Sequence, residues 1–536
     1  MILEWVPATG CYVLRVARGE ADPNELMRDY GLDFSAPRSS RAEAILYTKE
    51  PYAAVSFFKY ATPAAQATLE EINRVVQASW APAGSGAHIR CPGERELWPF
   101  QKAGVEYALG RRNTLIGDQP GLGKTETAIA YCNEVGAKRV LVICPASIRG
   151  PWCARIREWS TAPSPYIVHP VYTGTRGIHP GAAWTVVSYD LARTPAIGKA
   201  LTKGTYDVLI LDEAHYLKTN DAGRTRAIFG GGRDRPFVPI ADRCGSMLAL
   251  TGTPLPNRPR EAYTLARNLC FDAIDFLSEE RFYERFNPKD RTRDETGRHA
   301  ELQNRLRGNF MVRHLKRDPE IQRQVGTVGY PAYDLVHAEQ TGAVRAALAA
   351  EQLLDIDPKT LRGRNAAIDG ELSTARRLMG EAIAPQAADY VAMLLDGGEE
   401  KIVLFYHHIG VGDTLEQHLS HYGTARVDGS MSAAAKARAV EQFVTNRRVR
   451  VMMGNGQSLG LGVDGLQTVC WHAVHCEPDW VHENNEQCFA RLVRGGQRNL
   501  VQCDIFLAPG SLAERILAVS LRKGADVFNV LDRRVA

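Results

Sequence analysis

The sequence has no apolar run near the ~20 residues that a bilayer-spanning helix needs. Its first segment, MILEWVPATG, contains Glu4 and no basic stretch before an apolar one. Neither a membrane span nor a secretory signal is therefore expected. No two of its 11 cysteines are spaced as CxxC. Scattered cysteines argue against a zinc ribbon and favour reduced thiols in a cytoplasmic setting.

An excess of charge of one sign is also missing. The 65 Lys and Arg residues against 61 Asp and Glu give a net charge of +4, which neither requires nor excludes a nucleic-acid partner. Low-complexity tracts and internal repeats are absent as well. With 45% hydrophobic residues in 536, the chain can form several folded domains, about three to four at roughly 150 residues each.

The apolar segments predict an α/β protein. After a small α+β module and a Pro/Gly/Ser-rich linker, APAGSGAHIRCPG, short strands alternate with helices: NTLIGD, VLVICP, WTVVSYD, DVLILDE and MLALTGTP. Strands return later as KIVLFYHH, RVRVMMG, TVCWHAVH and LVQCDIFLA. Near-continuous Val/Ile/Leu strands are typical of parallel sheets covered by helices on both faces. Two such sheets are expected in tandem.

These patterns predict four segments. The first is an accessory module, in which CYVLRVARG and AILYTKEPYAAVSFFKY are expected as strands and PAAQATLEEINRVVQASW as a helix. The second is an α/β lobe with a helical protrusion, the third a mostly helical linker and protrusion, and the fourth a second α/β lobe. Their expected bounds are 1–88, 89–318 (protrusion about 271–312), 319–390 and 391–536.

The strongest local signal is GDQPGLGKT, which covers Gly117–Thr125 between a strand and a helix. Its glycines let backbone N–H groups surround phosphate oxygens at a helix N-terminus. Lys124 would reach the β- and γ-phosphates, and Thr125 would hold Mg²⁺. The strict phosphate-loop pattern has Gly where this chain has Asp118, so the match is to the looser GxGKT form.

Two acids end a later apolar strand, VLILDEAH. The carboxyl edge of a parallel sheet is where ligands of open α/β sheets bind. Asp212 is suited to hold Mg²⁺, and Glu213 is suited to orient and deprotonate a water. The turn LTGTP at Thr251–Pro254 closes another strand, and its hydroxyls are candidates to link the hydrolysis site to the rest of the protein.

The second half carries two weaker signals. In QCFARLVRGGQ, Arg491 and Arg494 are three residues apart and are therefore expected on one helix face. Arginines that meet a transferring phosphate stabilise its transition state. In SLGLGVD, glycines permit close backbone approach, and Asp464 is suited to accept from a ribose hydroxyl or from an arginine. Alone, each motif also fits a solvated basic helix or an ordinary loop.

Taken in order, these segments resemble helicase superfamily 2, and more closely the Swi/Snf-type ATP-dependent DNA translocases. GLGKT, LDEAH, TGTP, SLGLGVD and QCFARLVRGGQ stand at motifs I, II, III, V and VI, and the resemblance covers about 90–536. LWPFQKAGVEYAL and LTGTPLPNRPREAYTL are most similar to the annealing-helicase branch, whose members carry HARP modules. The short chain and its Ala- and Arg-rich usage fit a bacterial or phage member.

The resemblance implies two RecA-like lobes with ATP and Mg²⁺ bound in the cleft between them. The implied catalytic residues are Lys124, Glu213, Arg491 and Arg494. The implied nucleotide-binding residues are Gln101, Gly121, Gly123, Lys124, Thr125, Glu126, Asp212, Gly462, Asp464 and Gln487, with Thr125 and Asp212 on the metal. The implied DNA contacts are Pro145, Ser147, Ser188, Tyr189, Ser430 and Ser458.

The expected function is ATP-dependent translocation on double-stranded or forked DNA, without sequence preference, that remodels or reanneals it. The expected setting is the cytoplasm of a bacterial or phage-infected cell, without a membrane partner. Residues 1–88 offer a place for a protein partner. Alternatives are a strand-separating DNA or RNA helicase, and an ATP-switched nucleic-acid-binding subunit with little turnover.

Two further hypotheses place DNA against the loop Phe229–Pro239 and the basic run Lys289–Arg317. The competing interpretations are a plain surface loop and a solvated helical protrusion.

Overall fold

The computed structural model describes residues 1–35, 39–40, 42–163, 166–174, 177–231, 238–255, 258–286, 298–326, 331–354, 366–459, 463–479 and 482–532. These form two compact units. The first comprises residues 1–119, 123–315 and 525–536, and the second comprises residues 120–122 and 316–524. Within the described part of the chain, no helix is both long and apolar enough to cross a membrane.

The first unit begins with a small α+β module. Its antiparallel sheet has the strand order β1-β2-β4-β3, and its helices pack Leu14, Leu46, Phe57 and Leu69 against one face. The elements are β1 (Ile2–Val6), β2 (Cys11–Ala17), α1 (Pro23–Tyr30), β3 (Asp33–Phe34), β4 (Glu43–Thr48), α2 (Pro51–Ala54) and α3 (Pro63–Ala78), with a 3-10 turn at Val55–Tyr60.

A seven-stranded sheet forms the rest of the first unit. Its elements are α4 (Pro99–Leu109), β5 (Asn113–Ile116), α5 (Lys124–Glu134), β6 (Val140–Cys144), α6 (Arg149–Trp159), β7 (Ile167–Val171), β8 (Ala182–Ser188), α7 (Tyr189–Ala192), α8 (Pro195–Leu201), β9 (Tyr206–Asp212), α9 (Gly223–Phe229), β10 (Cys244–Leu250), α10 (Ala262–Leu269), α11 (Glu279–Phe286), α12 (His299–Asn309) and β11 (Met311–Val312). All pairings are parallel, in the order β11-β5-β10-β9-β6-β8-β7, and apolar clusters cover both faces.

A six-stranded parallel sheet, in the order β12-β17-β16-β13-β15-β14, forms the second unit. Its elements are α13 (Pro319–Val325), β12 (Ala332–His337), α14 (Gly342–Gln352), α15 (Ala366–Asp396), β13 (Ile402–Tyr406), α16 (Ile409–Leu419), β14 (Thr424–Val427), α17 (Ala433–Thr445), β15 (Val451–Asn455), α18 (Gly456–Leu459), β16 (His472–His475), α19 (His482–Phe489), β17 (Gln502–Leu507) and α20 (Leu512–Leu531). Residues 525–531 of α20 belong to the first unit.

The two covered parallel sheets and the N-terminal module confirm the expected fold class. Each sheet has apolar clusters on both faces, as the near-continuous apolar strands predict. Cys144, Cys470 and Cys503 are buried in these clusters, where they act as small apolar side chains.

One local prediction is wrong. The strand expected to continue through PYAAVSFFKY ends at Thr48, because Pro51 fixes a helical backbone angle and starts α2. The segment 319–390 is mostly helical, as expected, but it also contains β12. Most residues of β12 are exposed, since it lies at the edge of its sheet, so no apolar run marks it.

Both interpretations of the basic run Lys289–Arg317 are wrong for most of its described residues. Arg305, Arg307 and Arg313 are buried and hydrogen-bonded, so they neither face solvent nor are free to follow DNA. The N-terminal module covers this helix: Asn304 donates to the Tyr52 carbonyl oxygen at 2.7 Å. Residues 287–297, and residues 232–237 of the proposed DNA-facing loop, lie outside the described residues.

Candidate nucleotide site

The loop between β5 and α5 has the geometry that its glycines predict. Gly123 has φ 72°, in the left-handed region that favours glycine. A Cβ at this position would collide with the side-chain nitrogen of Gln101. The Gly123 carbonyl oxygen accepts from Gln101 Nε2 at 3.2 Å and from Thr127 Oγ1 at 3.1 Å. Only glycine therefore fits here. The two hydrogen bonds to its carbonyl oxygen fix the end of the loop, and with it the backbone N–H groups at the start of α5.

Lys124 opens α5 and folds back onto this loop. Its Nζ donates to the Asp118 carbonyl oxygen at 2.8 Å. Burial lowers the pKa of Lys124, and the carboxylates of Glu213, Asp118 and Asp212 oppose that shift. The ammonium group is therefore placed among acids at the carboxyl edge of the sheet, where an anionic ligand would meet it.

Gln101 and Glu126 occupy fixed positions beside the loop. Gln101 is buried, and its Oε1 accepts from the Trp98 backbone N–H at 2.9 Å. Because Oε1 and Nε2 hold Trp98 and Gly123, Gln101 fixes the start of α4 to the loop. Glu126 lies 3.2 Å from Arg155 of α6, and Thr125 is half-buried in the first turn of α5.

Asp212 ends β9 as a buried acid with two donors. Trp152 Nε1 donates to its Oδ2 at 2.7 Å, and the Glu213 backbone N–H donates to its Oδ1 at 2.9 Å. Burial and the neighbouring Glu213 charge raise the pKa of Asp212 to about 6, while the Trp152 bond and Lys124 oppose the rise. The raised pKa shows that Lys124 does not fully offset burial and the Glu213 charge, and a bound divalent cation would add the positive charge that favours the ionised carboxylate.

Glu213 stands just beyond the strand with φ 51°, a left-handed conformation that is rare for a residue with a Cβ and is concentrated at functional sites. His215 Nδ1 lies 3.3 Å from Glu213 Oε2 and 3.1 Å from Thr251 Oγ1. Thr251 follows β10, the strand between β9 and β5. The sheet order therefore brings the acidic pair, the Thr251–Pro254 turn and the phosphate loop to one edge.

Comparisons with known proteins agree with this arrangement. Residues 100–325, which contain the loop, the acidic pair and the Thr251–Pro254 turn, match the SNF2-related domain.

Relatives extend the likeness over most of the chain. The mouse DNA annealing helicase and endonuclease ZRANB3 is 27% identical over 82% of this chain and 41% of its own length. The cattle SWI/SNF-related matrix-associated actin-dependent regulator of chromatin subfamily A-like protein 1 is 27% identical over 77% and 43%. The putative ATP-dependent helicase/translocase YwqA of Bacillus subtilis (strain 168) is 23% identical over 78% and 47%. The chain thus spans less than half the length of these relatives.

Among solved structures, the Sulfolobus solfataricus SWI2/SNF2 ATPase core in complex with dsDNA matches at 18% identity. That match covers 84% of this chain and 100% of the solved chain, with a TM-score of 0.40.

Asp118 and His314 connect the phosphate loop to the segment that follows β11. Asp118 Oδ1 accepts from the His314 backbone N–H at 2.9 Å and lies 2.8 Å from its Nδ1. His314 Nε2 lies 2.9 Å from the Ala81 carbonyl oxygen. Both side chains are buried. The acid that replaces the first glycine of the strict pattern therefore fixes the start of the phosphate loop to the segment after β11.

Sequence reasoning missed the roles of Trp152, Tyr189 and His314. Trp152 supports Asp212 from α6, and the Tyr189 hydroxyl donates to the Asp212 carbonyl oxygen at 2.8 Å. The motifs that contain these residues were recognisable, but their side-chain partners are far away in the sequence. Only the strand order places β6 beside β9 and β8 on the other side of β6.

Of the four first-unit residues that are expected to contact DNA, one is exposed and three are buried. Ser147 is exposed after β6, whereas Pro145 is buried. Ser188 and Tyr189 are buried: Ser188 Oγ accepts from the Leu191 N–H at 3.3 Å, and Tyr189 bonds to Asp212. These contacts correct the expectation that Ser188 and Tyr189 present their side chains to nucleic acid.

In the second unit, the arginines of QCFARLVRGGQ are not on one helix face. α19 ends at Phe489, and the following residues form turns in which the Leu492 N–H donates to the Phe489 carbonyl oxygen. Gly495 and Gly496 follow, and Gly496 has φ 89°, which does not continue a helix. The prediction of a shared helical face for Arg491 and Arg494 is therefore wrong.

These arginines instead bond to the segment after β15. Arg491 is buried, and its Nη1 donates to the Val463 carbonyl oxygen at 2.8 Å. Arg494 Nη1 donates to Asp464 Oδ1 at 3.0 Å. Burial opposes ionisation of Asp464, but the Arg494 charge and the hydrogen bonds from Arg494, Gly465 and Gln467 together hold the pKa of Asp464 below its usual value. Asp464 thus accepts from an arginine, one of its two expected roles.

Three of the other expected residues of the second unit lie in the described part of the chain, and one does not. Gln487 is buried in α19, and Ser458 is half-buried in α18. Ser430 is exposed, and its hydroxyl donates to Asp428 Oδ1 at 2.6 Å. Gly462 lies outside the described residues.

Proposed function

We propose that this chain is an ATP-dependent translocase on double-stranded DNA that remodels or reanneals DNA structures. The observation that carries the proposal is the joint placement of the phosphate loop, the buried Asp212 and the strained Glu213 at one edge of an SNF2-related domain. The names of the relatives, a DNA annealing helicase and a helicase/translocase, support the choice of DNA and of annealing.

The chain's own residues account for binding and hydrolysis of ATP. The α5 N-terminus and Lys124 would bind the phosphates, and Glu213 would orient the attacking water and accept its proton. Thr125 and Asp212 would hold Mg²⁺, which neutralises charge on the phosphates when bound. The roles that the resemblance implies for Arg491 and Arg494 on the phosphates stay predictions.

Energy from hydrolysis would move the protein along the DNA backbone. Contacts to phosphates carry no sequence information, so binding should tolerate any sequence and weaken steeply with salt. Double-stranded or forked DNA is the proposed partner. A bacterial or phage source and a cytoplasmic setting belong to the same proposal.

The test is ATP hydrolysis without nucleic acid and with single-stranded DNA, duplex DNA, forked DNA and RNA. Duplex or forked DNA should stimulate turnover most. Lys124→Ala should lower turnover at least about 100-fold, and Glu213→Gln should do the same while still binding ATP. The exposed residues Lys199 and Glu280 provide matched controls, since Lys199→Ala and Glu280→Gln should leave turnover unchanged.

The other outcomes are equally informative. Stimulation by single strands or RNA alone would contradict the duplex translocase and support a helicase. Nucleotide binding without turnover on any substrate would contradict the enzyme and support a switch.

A further inference from the structure

Arg313 connects the phosphate loop to the turn after β10. It directly follows β11, and its side chain is buried. Its Nη1 donates to two backbone carbonyl oxygens: that of Gly117, at the start of the phosphate loop, and that of Gly252, at 2.8 Å. One guanidinium nitrogen therefore ties together two loops of the candidate nucleotide site.

A carboxylate 219 residues later in the sequence holds the rest of this guanidinium. Asp532, which follows α20, accepts from Arg313 Nε at 2.7 Å and from Nη2 at 3.0 Å. The two parallel bonds fix the plane of the guanidinium group, and with it the direction of Nη1. Asp532 is itself buried, with 6% of its surface exposed.

Arg307, in α12, contacts the same end of α20 and Asp532. Its Nη2 donates to the Leu531 carbonyl oxygen at 2.9 Å and lies 3.6 Å from Asp532 Oδ1. Its Nη1 donates to Ser79 Oγ at 2.9 Å, and its guanidinium carbon lies 3.2 Å from the centroid of the Trp80 ring. Two buried cations thus lie close to one carboxylate, so its loss would leave charge without compensation.

We propose that Asp532 is a positioning residue for nucleotide hydrolysis. By fixing Arg313, it sets the distance between the phosphate loop and the Thr251–Pro254 turn, so that the backbone around the phosphates is held before ATP binds. This role rests on the proposed function. It assigns part of the nucleotide site to residues 525–532, which lie outside the matched SNF2-related domain.

The test compares Asp532→Asn and Arg313→Lys with the wild-type chain. Asn keeps the shape but offers one acceptor oxygen, and Lys keeps the charge but not the fork. In both, kcat for DNA-stimulated hydrolysis should fall about tenfold, more than KM rises, because misplaced loops weaken stabilisation of the transition state more than they weaken nucleotide binding. Affinity for a fluorescent non-hydrolysable ATP analogue should fall about fivefold. Asp532→Glu should recover much of kcat.

Glu50→Gln is the matched control, because Glu50 also bonds to a buried arginine in the first unit but has no link to the phosphate loop. It should lower the melting temperature without changing kcat per folded molecule. Equal losses of kcat in Glu50→Gln would overturn the proposal, as would wild-type kcat and analogue affinity in Asp532→Asn. If Asp532→Asn does not fold, Arg313→Lys decides in the same way. If the wild-type chain hydrolyses no ATP, the proposed function fails, and analogue affinity still decides the role of Asp532.

Discussion

At the residue scale, the pKa of Asp212 is set by its burial, by two neighbouring charges and by the hydrogen bonds that it accepts. Its pKa is raised from 3.8 to about 6 by burial and by the Glu213 charge, and the Trp152 N–H limits the rise. In the free protein, the native state binds this proton more tightly than the unfolded chain. The contribution of Asp212 to stability therefore falls as pH rises between these two values. A metal ligand must be ionised, so hydrolysis should be lost as pH falls through about 6.

Trp152→Phe should move the acid limb of the pH–rate profile upward. The substitution keeps an aromatic ring and removes the donor. A hydrogen bond to a charged group contributes ~1.5–3 kcal/mol, so the limb should shift by about one pH unit or more. The measurement is kcat for ATP hydrolysis between pH 5 and pH 9.

Trp159 lies in the same helix and does not bond to Asp212, so Trp159→Phe is the control and should leave the limb in place. A lower plateau for Trp152→Phe with an unshifted limb would contradict this account of Asp212.

At the scale of elements, α12 shows why a charged helix can be a core element. Glu301, with a fully buried side chain, accepts from Arg305 Nε at 2.7 Å and from Arg285 Nη2 at 2.7 Å. Arg305 also bonds to Glu50 and Asp275, each at 2.7 Å. Burial opposes ionisation of Glu50, but Arg285 and Arg305 hold its pKa below its usual value. Its contribution to stability is therefore lost only as pH falls through that lowered pKa.

Arg305→Met should destabilise the first unit strongly. Breaking a buried ion pair on one side leaves an uncompensated charge, which costs about 3–5 kcal/mol. We expect a loss of roughly that size in the free energy of unfolding, measured by urea denaturation followed by circular dichroism. Arg74→Met breaks the exposed pair with Glu71 and should change stability by less than about 1 kcal/mol. Equal effects of the two substitutions would contradict the structural role given to α12.

At the scale of the whole molecule, the N-terminal module is part of the first unit's core. Tyr52 and Ser56 accept from Asn304, Tyr52 also accepts from Asn309, and Ser79 accepts from Arg307. These contacts cover α12 and its charged side chains, which the seven-stranded sheet alone would leave partly exposed. The accessory module expected from the sequence is therefore also a structural cover.

A chain that begins at residue 89 should therefore be unstable. Losing these bonds exposes the face of α12 that carries Ala300, Glu301 and Asn304. The truncation also removes Glu50, which pairs with the buried Arg305. We expect aggregation in size-exclusion chromatography, or a melting temperature lower by at least about 6 °C, given ~3 kcal/mol for this broken pair. Arg15→Ala, at a half-exposed ion pair within the module, should leave both measurements near wild type. A monodisperse 89–536 chain with an unchanged melting temperature would show that the cover is dispensable.

Strands with a strong local apolar signal could be predicted from the sequence, whereas strands defined by pairing with distant segments could not. Strands such as β6, β9 and β13 were predicted because buried parallel strands are continuous apolar runs. β11 has two residues, β14 buries only alternate residues, and β12 is mostly exposed, so their apolar signal is too short or too weak. Their place is decided by pairing with strands far along the chain.

Local sequence patterns are sufficient to predict a nucleotide site. Lys124, Asp212 and Glu213 follow strands with the spacing of a nucleotide site, and local rules of loops and strand ends are sufficient to recognise them. Tertiary structure alone decided which side chains support them. Trp152, His314, Arg313 and Asp532 reach that edge through strand order and through a helix end more than 200 residues away from Arg313. Packing and buried charge pairing, which act across the fold, carry no local signature in the sequence.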